Sequence, residues 1–160
     1  MIILFIIIVN YNACSQTNDK ELIRDFEREF MNNPNFEIEN IDTYLDINNE
    51  SPAGRKKILN LVTQHIRDCQ AFSQITSTSY ENLEIFHYAE VAKNSKISAS
   101  SLYNQLDYPN KDEVFYVIYN NDPDLLSLII VKDHKIISLY PELHQGTEPV
   151  KPFLLNSKSF

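Results

Sequence analysis

Glycine is scarce in this sequence: only Gly54 and Gly146 occur among 160 residues. A loop that wraps a phosphate group needs several closely spaced glycines, because other side chains keep the backbone away from the ligand. The nucleophile turn of many serine hydrolases needs glycines on both sides of its serine, and neither glycine has a serine at that spacing. The sequence therefore excludes a glycine-rich nucleotide site and a serine nucleophile of this type.

Positive charge is also scarce, with 14 lysines and arginines against 22 acidic residues and a net charge of −8. The clearest basic cluster, Arg55 with Lys56 and Lys57, is too small for the broad positive surface that binds nucleic acid. We therefore expect no nucleic-acid partner. Residues 19–50 carry ten of the acids against three basic residues. This balance indicates either a solvated acidic face or a surface that docks on a basic protein.

An unbroken apolar run occupies residues 2–9 and is followed shortly by Ala13 and Cys14. Eight apolar residues are too few to span a bilayer, which takes about 20, but they match the hydrophobic part of a signal peptide. The chain turns polar directly after Cys14. Residues 1–16 resemble the signal of a bacterial lipoprotein precursor, in which the cysteine is lipidated and becomes the mature N-terminus. The alternative interpretation of the run is a buried strand of a cytosolic protein.

The resemblance implies a signal peptide (1–13) and a tether (14–18). Residues 19–160 remain as a single domain, for which the pattern described below predicts an α+β fold. The resemblance implies lipid attachment at Cys14, and through that lipid a membrane partner. It also implies a location in the bacterial cell envelope, as an outer-membrane lipoprotein that faces the periplasm or the cell surface. The resemblance ends at residue 16 and names no family for the mature domain.

The chain has only two cysteines, Cys14 and Cys69. If Cys14 is lipidated, Cys69 has no partner within the chain and is a free thiol. If Cys14 is not lipidated, an exported chain can join the two in a disulfide. Cys69 falls on the apolar face of a predicted helix, where a free cysteine behaves as a small hydrophobic residue.

Two amphipathic helices are expected first. In the first helix Asn18 and Glu21 form a capping box, and an apolar stripe follows at helical spacing: Leu22, Ile23, Phe26 and Phe30. The Asn-Asn-Pro sequence at 32–34 ends this helix. Residues 36–47 fit a strand or a helix equally well, so their structure stays open.

The second helix begins at Ser51 and Pro52, a cap followed by proline at the first helical position. One face of this helix is predicted to be apolar through about five turns: Ile58, Leu61, Val62, His65, Ile66, Cys69 and Phe72. The basic cluster at 55–57 lies in its first turns, and we expect these side chains to pair with nearby acids.

From residue 80 onward the apolar pattern alternates, which indicates strands at 83–91, 114–119, 125–131 and 136–140. The second and third are apolar on both faces, as in central, covered strands. A turn is predicted at 120–124, and a tight hairpin in which Asp133 adopts positive φ.

Two N-terminal helices followed by an antiparallel sheet of about four strands indicate an α+β fold, with the second helix lying across the sheet. Cystatin-like and NTF2-like rolls share this order of elements. The similarity concerns the fold only and carries no function.

The four histidines are the first residues to consider for catalysis or metal binding. His65 is expected to be partly buried on its helix, His134 to be exposed in the hairpin, and His144 to lie in the tail. His87 falls on the apolar face of its strand, and Glu90, three residues on, is expected on the opposite face. No local pattern resembles a zinc site. The sequence predicts no catalytic, cofactor-binding or metal-binding residue.

The leading hypothesis is a non-catalytic binding or interaction module that is tethered to the membrane. One alternative is a small envelope hydrolase whose active site is assembled from scattered residues, with His87 and a carboxylate as members. The other is an inhibitor or immunity-type protein that uses the acidic residues 19–50 against a basic partner.

Overall fold

The structure is a computed structural model that describes residues 17–76, 80, 82–139 and 149–155. The helical elements are α1 (17–26) and the π-helical turn that continues it (Glu27–Met31), a 3-10 helix (Ile38–Thr43), α2 (Pro52–Thr76), α3 (Tyr88–Val91), α4 (Ser95–Ser98), α5 (Ser101–Asn104) and a second 3-10 helix (Lys111–Glu113). The strands are β1 (Leu83–His87), β2 (Val114–Tyr119), β3 (Asp122–Lys132) and β4 (Lys135–Ser138). The expected α+β class is confirmed. The expected signal peptide, Cys14 and His144 lie outside the described residues.

The four strands form one antiparallel sheet in the order β1-β2-β3-β4. The two turns that join β2 to β3 and β3 to β4 each contain two residues with positive φ: Asn120 and Asn121, and Asp133 and His134. Positive φ at both central residues is typical of the type I′ turn, whose twist suits a hairpin. The predicted conformation of Asp133 is therefore confirmed. The turn between β2 and β3 is shorter than the predicted 120–124, because β3 begins at Asp122.

Both faces of the sheet are covered, and every residue of β2 is buried. Successive side chains of a strand point to opposite faces. On one face Phe115, Val117 and Tyr119 pack with α1, the π-helical turn and α2. On the other face the alternate residues of β2 pack with the segment that carries α3, α4 and α5. The central position predicted for this strand is confirmed, as is the placement of the second helix on the sheet.

The segment whose structure the sequence left open, 36–47, forms the first 3-10 helix and then a single bridge. Leu45 pairs with Ile136 in parallel orientation. The Ile136 N–H donates to the Tyr44 carbonyl oxygen at 2.7 Å, and the Asp46 N–H donates to the Ile136 carbonyl oxygen at 3.1 Å. These bonds cover the outer edge of β4, which would otherwise present unpaired backbone groups.

Of the two predicted helix N-caps, the one at Ser51 is confirmed and the one at Asn18 is wrong. The Ser51 hydroxyl accepts the Gly54 N–H at 3.1 Å, as expected for an N-cap. Thr17 is already helical, so Asn18 lies inside α1 and the capping box predicted there is wrong. The helical run ends at Asn32 as predicted.

The apolar face of α2 is narrower than predicted. Ile58, Val62 and Ile66 are buried against the sheet. Leu61 and Phe72, which were expected on the same face, are 37% and 47% exposed. Their exposure places both residues at the margins of the buried stripe.

The first strand is shorter than predicted, because β1 ends at His87 and α3 follows at once. Ala89 and Val91 therefore do not lie on the strand. The reversal is stabilised by a capping box between His87 and Glu90. The short helices α3 to α5 were not predicted, and they give the sheet a second helical layer beyond the expected order of elements.

Candidate functional site

A cavity of about 270 Å³ is formed by the π-helical turn, α2 and the adjoining part of the sheet. Its polar lining residues are Glu27, His65, Cys69, Tyr80, Tyr119 and Ser127. Its apolar lining residues are Met31, Phe72, Leu125, Leu126 and Leu139. The lining therefore combines apolar walls with a few convergent polar groups, as small-molecule sites do.

Glu27 is a carboxylic acid that is buried with only one of its two oxygens paired. The residue is 1% exposed. Its Oε1 accepts a hydrogen bond from the Tyr119 hydroxyl at 3.0 Å, whereas its Oε2 has no hydrogen-bond partner in the described part of the chain. Burial raises the pKa of Glu27 to about 8, and the bond from Tyr119 opposes this increase only in part. At pH 7 the carboxyl group is therefore mostly protonated and neutral.

Two backbone irregularities flank this carboxyl group. Glu27 begins the π-helical turn, in which the Asn32 N–H donates to the Glu27 carbonyl oxygen at 3.2 Å. The pairing of β2 with β3 shifts register between Ile118 and Tyr119, so the partner of Glu27 lies at a bulge. Both π-helical turns and β-bulges recur at functional sites, where they re-aim side chains. Both irregularities meet at this cavity and position the Glu27 carboxyl group and its Tyr119 partner.

Cys69 and His65 lie one turn apart on α2, with Cys69 Sγ 3.7 Å from His65 Nε2. Burial raises the pKa of the Cys69 thiol to about 11 and lowers the pKa of the His65 imidazole. Both groups are therefore neutral at pH 7. A nucleophilic cysteine needs the opposite environment, which stabilises a thiolate. The pair is thus unsuited to nucleophilic catalysis, and Cys69 has the packing role that its helical position predicts.

We expect Cys69 to resist thiol reagents in the folded protein. A pKa of about 11 in place of 9.0 leaves about 100-fold less thiolate below pH 9. In a Cys14→Ser chain, where Cys69 is the one remaining thiol, labelling at pH 8 should be about 100-fold slower in the native state than in urea. Cys69→Ala should lower the free energy of unfolding by about 1 kcal/mol. Equal labelling rates in the two states would show that Cys69 is accessible.

His87 has a structural role that the sequence does not predict. It is 1% exposed, and its backbone N–H donates to Glu90 Oε2 at 2.7 Å. Its Nδ1 accepts from the Ala89 N–H at 3.4 Å, and its Nε2 lies 2.9 Å from the Asp112 carbonyl oxygen. Because that oxygen only accepts, Nε2 carries the proton. Both ring nitrogens are engaged, so His87 is poorly placed to act as a general base.

The expected position of Glu90 on the opposite face from His87 is wrong, because the strand ends between them. A larger and more open depression of about 680 Å³ lies beside Glu90, over β1. Its charges compensate each other, since Lys20 Nζ lies 2.6 Å from Glu90 Oε2. None of its described lining residues has a buried polar atom without a partner. The smaller cavity at Glu27 is therefore the better candidate.

Several acids of residues 19–50 are engaged within the fold. At least half of them have a partner, among them Asp19 with His134, Asp25 with Arg28, Glu27 with Tyr119, Glu29 with Tyr44, and Asp42 with Arg55. The pairing of the basic cluster with nearby acids is thus confirmed for Arg55. His134 is exposed in its turn, as predicted. Docking of a basic protein on this segment stays a prediction, with fewer acids available for it.

No family model, curated protein or solved structure matches this chain. Among the described residues, no group of three His, Cys, Asp or Glu side chains is arranged to hold a metal ion. In the same residues no helix is both long enough and apolar enough to cross a membrane.

Sequence reasoning included Glu27 only as one of the acids in the segment 19–50. One signal could have found it, because Glu27 lies four residues after Ile23 and three before Phe30, on the apolar stripe of α1. An acid on such a stripe is either paired or unusual in its pKa. The contact with Tyr119 joins residues 92 positions apart, and no local pattern predicts it.

Proposed function

We propose that this protein is a non-catalytic binding module, with the cavity at Glu27 as its ligand site, which a lipid on Cys14 tethers to a bacterial membrane. The observation that carries the binding role is the unpaired Oε2 of Glu27. A buried polar atom without a hydrogen bond costs about 1–3 kcal/mol. A ligand that hydrogen-bonds this oxygen recovers that free energy while it fills the cavity.

The size and lining of the cavity support a small ligand with an apolar body and one polar end. An engineered apolar cavity of about 150 Å³ holds benzene, so about 270 Å³ accommodates a somewhat larger molecule. Phe72, which is 47% exposed, lines the cavity and links it to the surface. The neutral thiol and imidazole favour binding over covalent chemistry.

The ligand site can be tested through Met31, which lines the cavity and is 5% exposed. The chain has only two methionines, Met1 and Met31. A methyl-labelled methionine spectrum therefore has at most two signals, and the signal that is lost in Met31→Leu belongs to Met31. Three probes of similar size and different charge are benzylamine, benzyl alcohol and benzoate. We expect at least one probe to shift the Met31 signal saturably.

Ser127→Phe, which places a ring in the cavity, should abolish that shift. Ala71→Phe adds the same ring at an exposed position of α2 and should leave it unchanged. Circular dichroism and the Met31 signal itself report whether each variant is folded. Absence of a saturable shift with all three probes would contradict the proposed ligand site.

The tether makes a separate prediction. Lipidation of Cys14 by more than one acyl chain should hold the protein in the membrane fraction. Cys14→Ser should release it or leave an unprocessed precursor, whereas Cys69→Ser should remain membrane-bound. Intact-mass measurement in a bacterial host that lipidates such precursors provides the direct readout. An unmodified residue 14 would contradict the tether and leave the ligand site unaffected.

A further inference from the structure

We infer that the ligand of the Glu27 cavity is a small organic cation, an amine with an apolar body whose ammonium group binds Glu27 Oε2. This inference rests on the proposed ligand site and specifies its chemistry. Once it is ionised, the carboxyl group supplies an acceptor, Oε2, that no described residue uses. No lysine or arginine occurs among the described residues that line the cavity.

The surroundings of Glu27 leave its charge uncompensated. The titratable groups that line the cavity with it are Tyr119 from β2, Cys69 and His65 from α2, and Tyr80 from the segment between α2 and β1. Burial favours the neutral form of each of them at pH 7. Once Glu27 loses its proton, a single negative charge is therefore buried without a counter-ion. Buried charges require a partner, and a ligand cation supplies it.

The aromatic residues of the cavity favour the same class of ligand. The rings of Tyr80 and Tyr119 pack edge to face with centroids 5.0 Å apart, and Phe72 lines the same space. Aromatic rings attract cations through their faces, by about 0.5–2 kcal/mol each. An anion finds no such contact and is repelled when Glu27 is ionised.

Binding of an ammonium ion is then coupled to release of the Glu27 proton to solvent. The ligand keeps its own protons and no covalent bond of the ligand changes. Because the pKa of Glu27 is about 8, close to one proton should leave per ligand bound at pH 7. Protons compete with the ligand in this range, so the affinity should rise about tenfold per pH unit between pH 5.5 and 7.5.

The test compares benzylamine with the neutral benzyl alcohol on the full chain, by titration of the Met31 signal and by calorimetry in two buffers of different ionisation enthalpy. We expect benzylamine to bind more tightly than benzyl alcohol at pH 7, with release of close to one proton. Glu27→Gln should reduce the affinity for benzylamine at least tenfold, and far more than it reduces the affinity for benzyl alcohol. Glu21→Gln, which removes an exposed carboxylate from α1, should change neither.

Other results of these titrations would overturn either the cation inference alone or the ligand site as well. If benzyl alcohol binds as tightly as benzylamine and no proton is released, the cation inference is overturned and the ligand site stands. Tighter binding of benzoate would likewise overturn it. If none of the probes shifts Met31 saturably, the ligand site and the cation inference are both overturned.

Discussion

Glu27→Gln is expected to remove most of the pH dependence that this carboxyl group gives to folding stability. The pKa of Glu27 is about 8 in the folded protein, against an ordinary value of 4.5. Below pH 4.5 both the folded and the unfolded chain hold the proton. Between pH 4.5 and 8 the unfolded chain has lost the proton and the folded chain keeps it, so the free energy of unfolding falls as pH rises. Above pH 8 both states are ionised and the contribution is constant.

The magnitude follows from the same pKa values. Each pKa unit corresponds to about 1.4 kcal/mol, so the displacement from 4.5 to about 8 amounts to on the order of 5 kcal/mol over the whole interval. Glutamine has nearly the same shape, and its carbonyl oxygen can still accept the Tyr119 hydroxyl. It cannot ionise. We therefore expect Glu27→Gln to be close to the natural chain in stability at pH 4.5 and several kcal/mol more stable at pH 8.

Urea unfolding at half-unit pH intervals from 4.5 to 8.5 measures this difference directly. All other ionisable groups are the same in the two proteins, so their contributions cancel in the comparison. Glu21→Gln, at an exposed position of α1, is the matched control. Its free energy of unfolding should change with pH in the same way as that of the natural chain. If the free energy of unfolding of Glu27→Gln also follows that of the natural chain at every pH, the raised pKa of the buried Glu27 carboxyl group is contradicted.

The features that the sequence predicts well are those encoded within a few residues. The bounds of β2 follow from its apolar run, and the second hairpin from Asp133, which tolerates positive φ. The cap at Ser51 has the same local origin. Such signals need no knowledge of the distant parts of the chain.

The errors arise where tertiary contacts decide between local alternatives. The alternating pattern of 83–91 fits a strand, but the capping box of His87 and Glu90 turns the chain into α3. Leu61 and Phe72 fit a helical stripe, but the sheet covers only its centre. These outcomes depend on which surface packs against the segment, and periodicity does not report that.

The candidate site belongs to the same class of features. Cys69 was placed correctly on the buried side of its helix, and burial accounts for the raised pKa of its thiol. The cavity becomes evident only when β2 brings Tyr119 to Glu27 and Tyr80 packs on Tyr119. A charged residue in a sequence is ordinarily assigned to the solvated surface. For this reason the sequence alone does not single out Glu27 as a buried residue.

Phe30→Ala is expected to destabilise the protein by about 3–5 kcal/mol, the range found when a buried phenylalanine is truncated. Phe30 is fully buried in the π-helical turn. Its ring centroid lies 5.1 Å from that of Phe26, 5.5 Å from that of Tyr44 and 5.9 Å from that of Phe36. Truncation therefore removes three aromatic contacts and leaves a void between α1 and the segment that covers β4.

Phe72→Ala is the matched control, because it deletes the same ring from a residue that is 47% exposed. Partial burial limits its expected cost to about 1 kcal/mol. Urea midpoints at pH 5, where Glu27 is protonated in the folded state, keep the effect of packing separate from that of ionisation. A domain of this size is stable by only about 5–15 kcal/mol, so Phe30→Ala should lower the midpoint substantially while Phe72→Ala changes it little. Equal costs for the two substitutions would contradict the placement of Phe30 at the centre of this aromatic cluster.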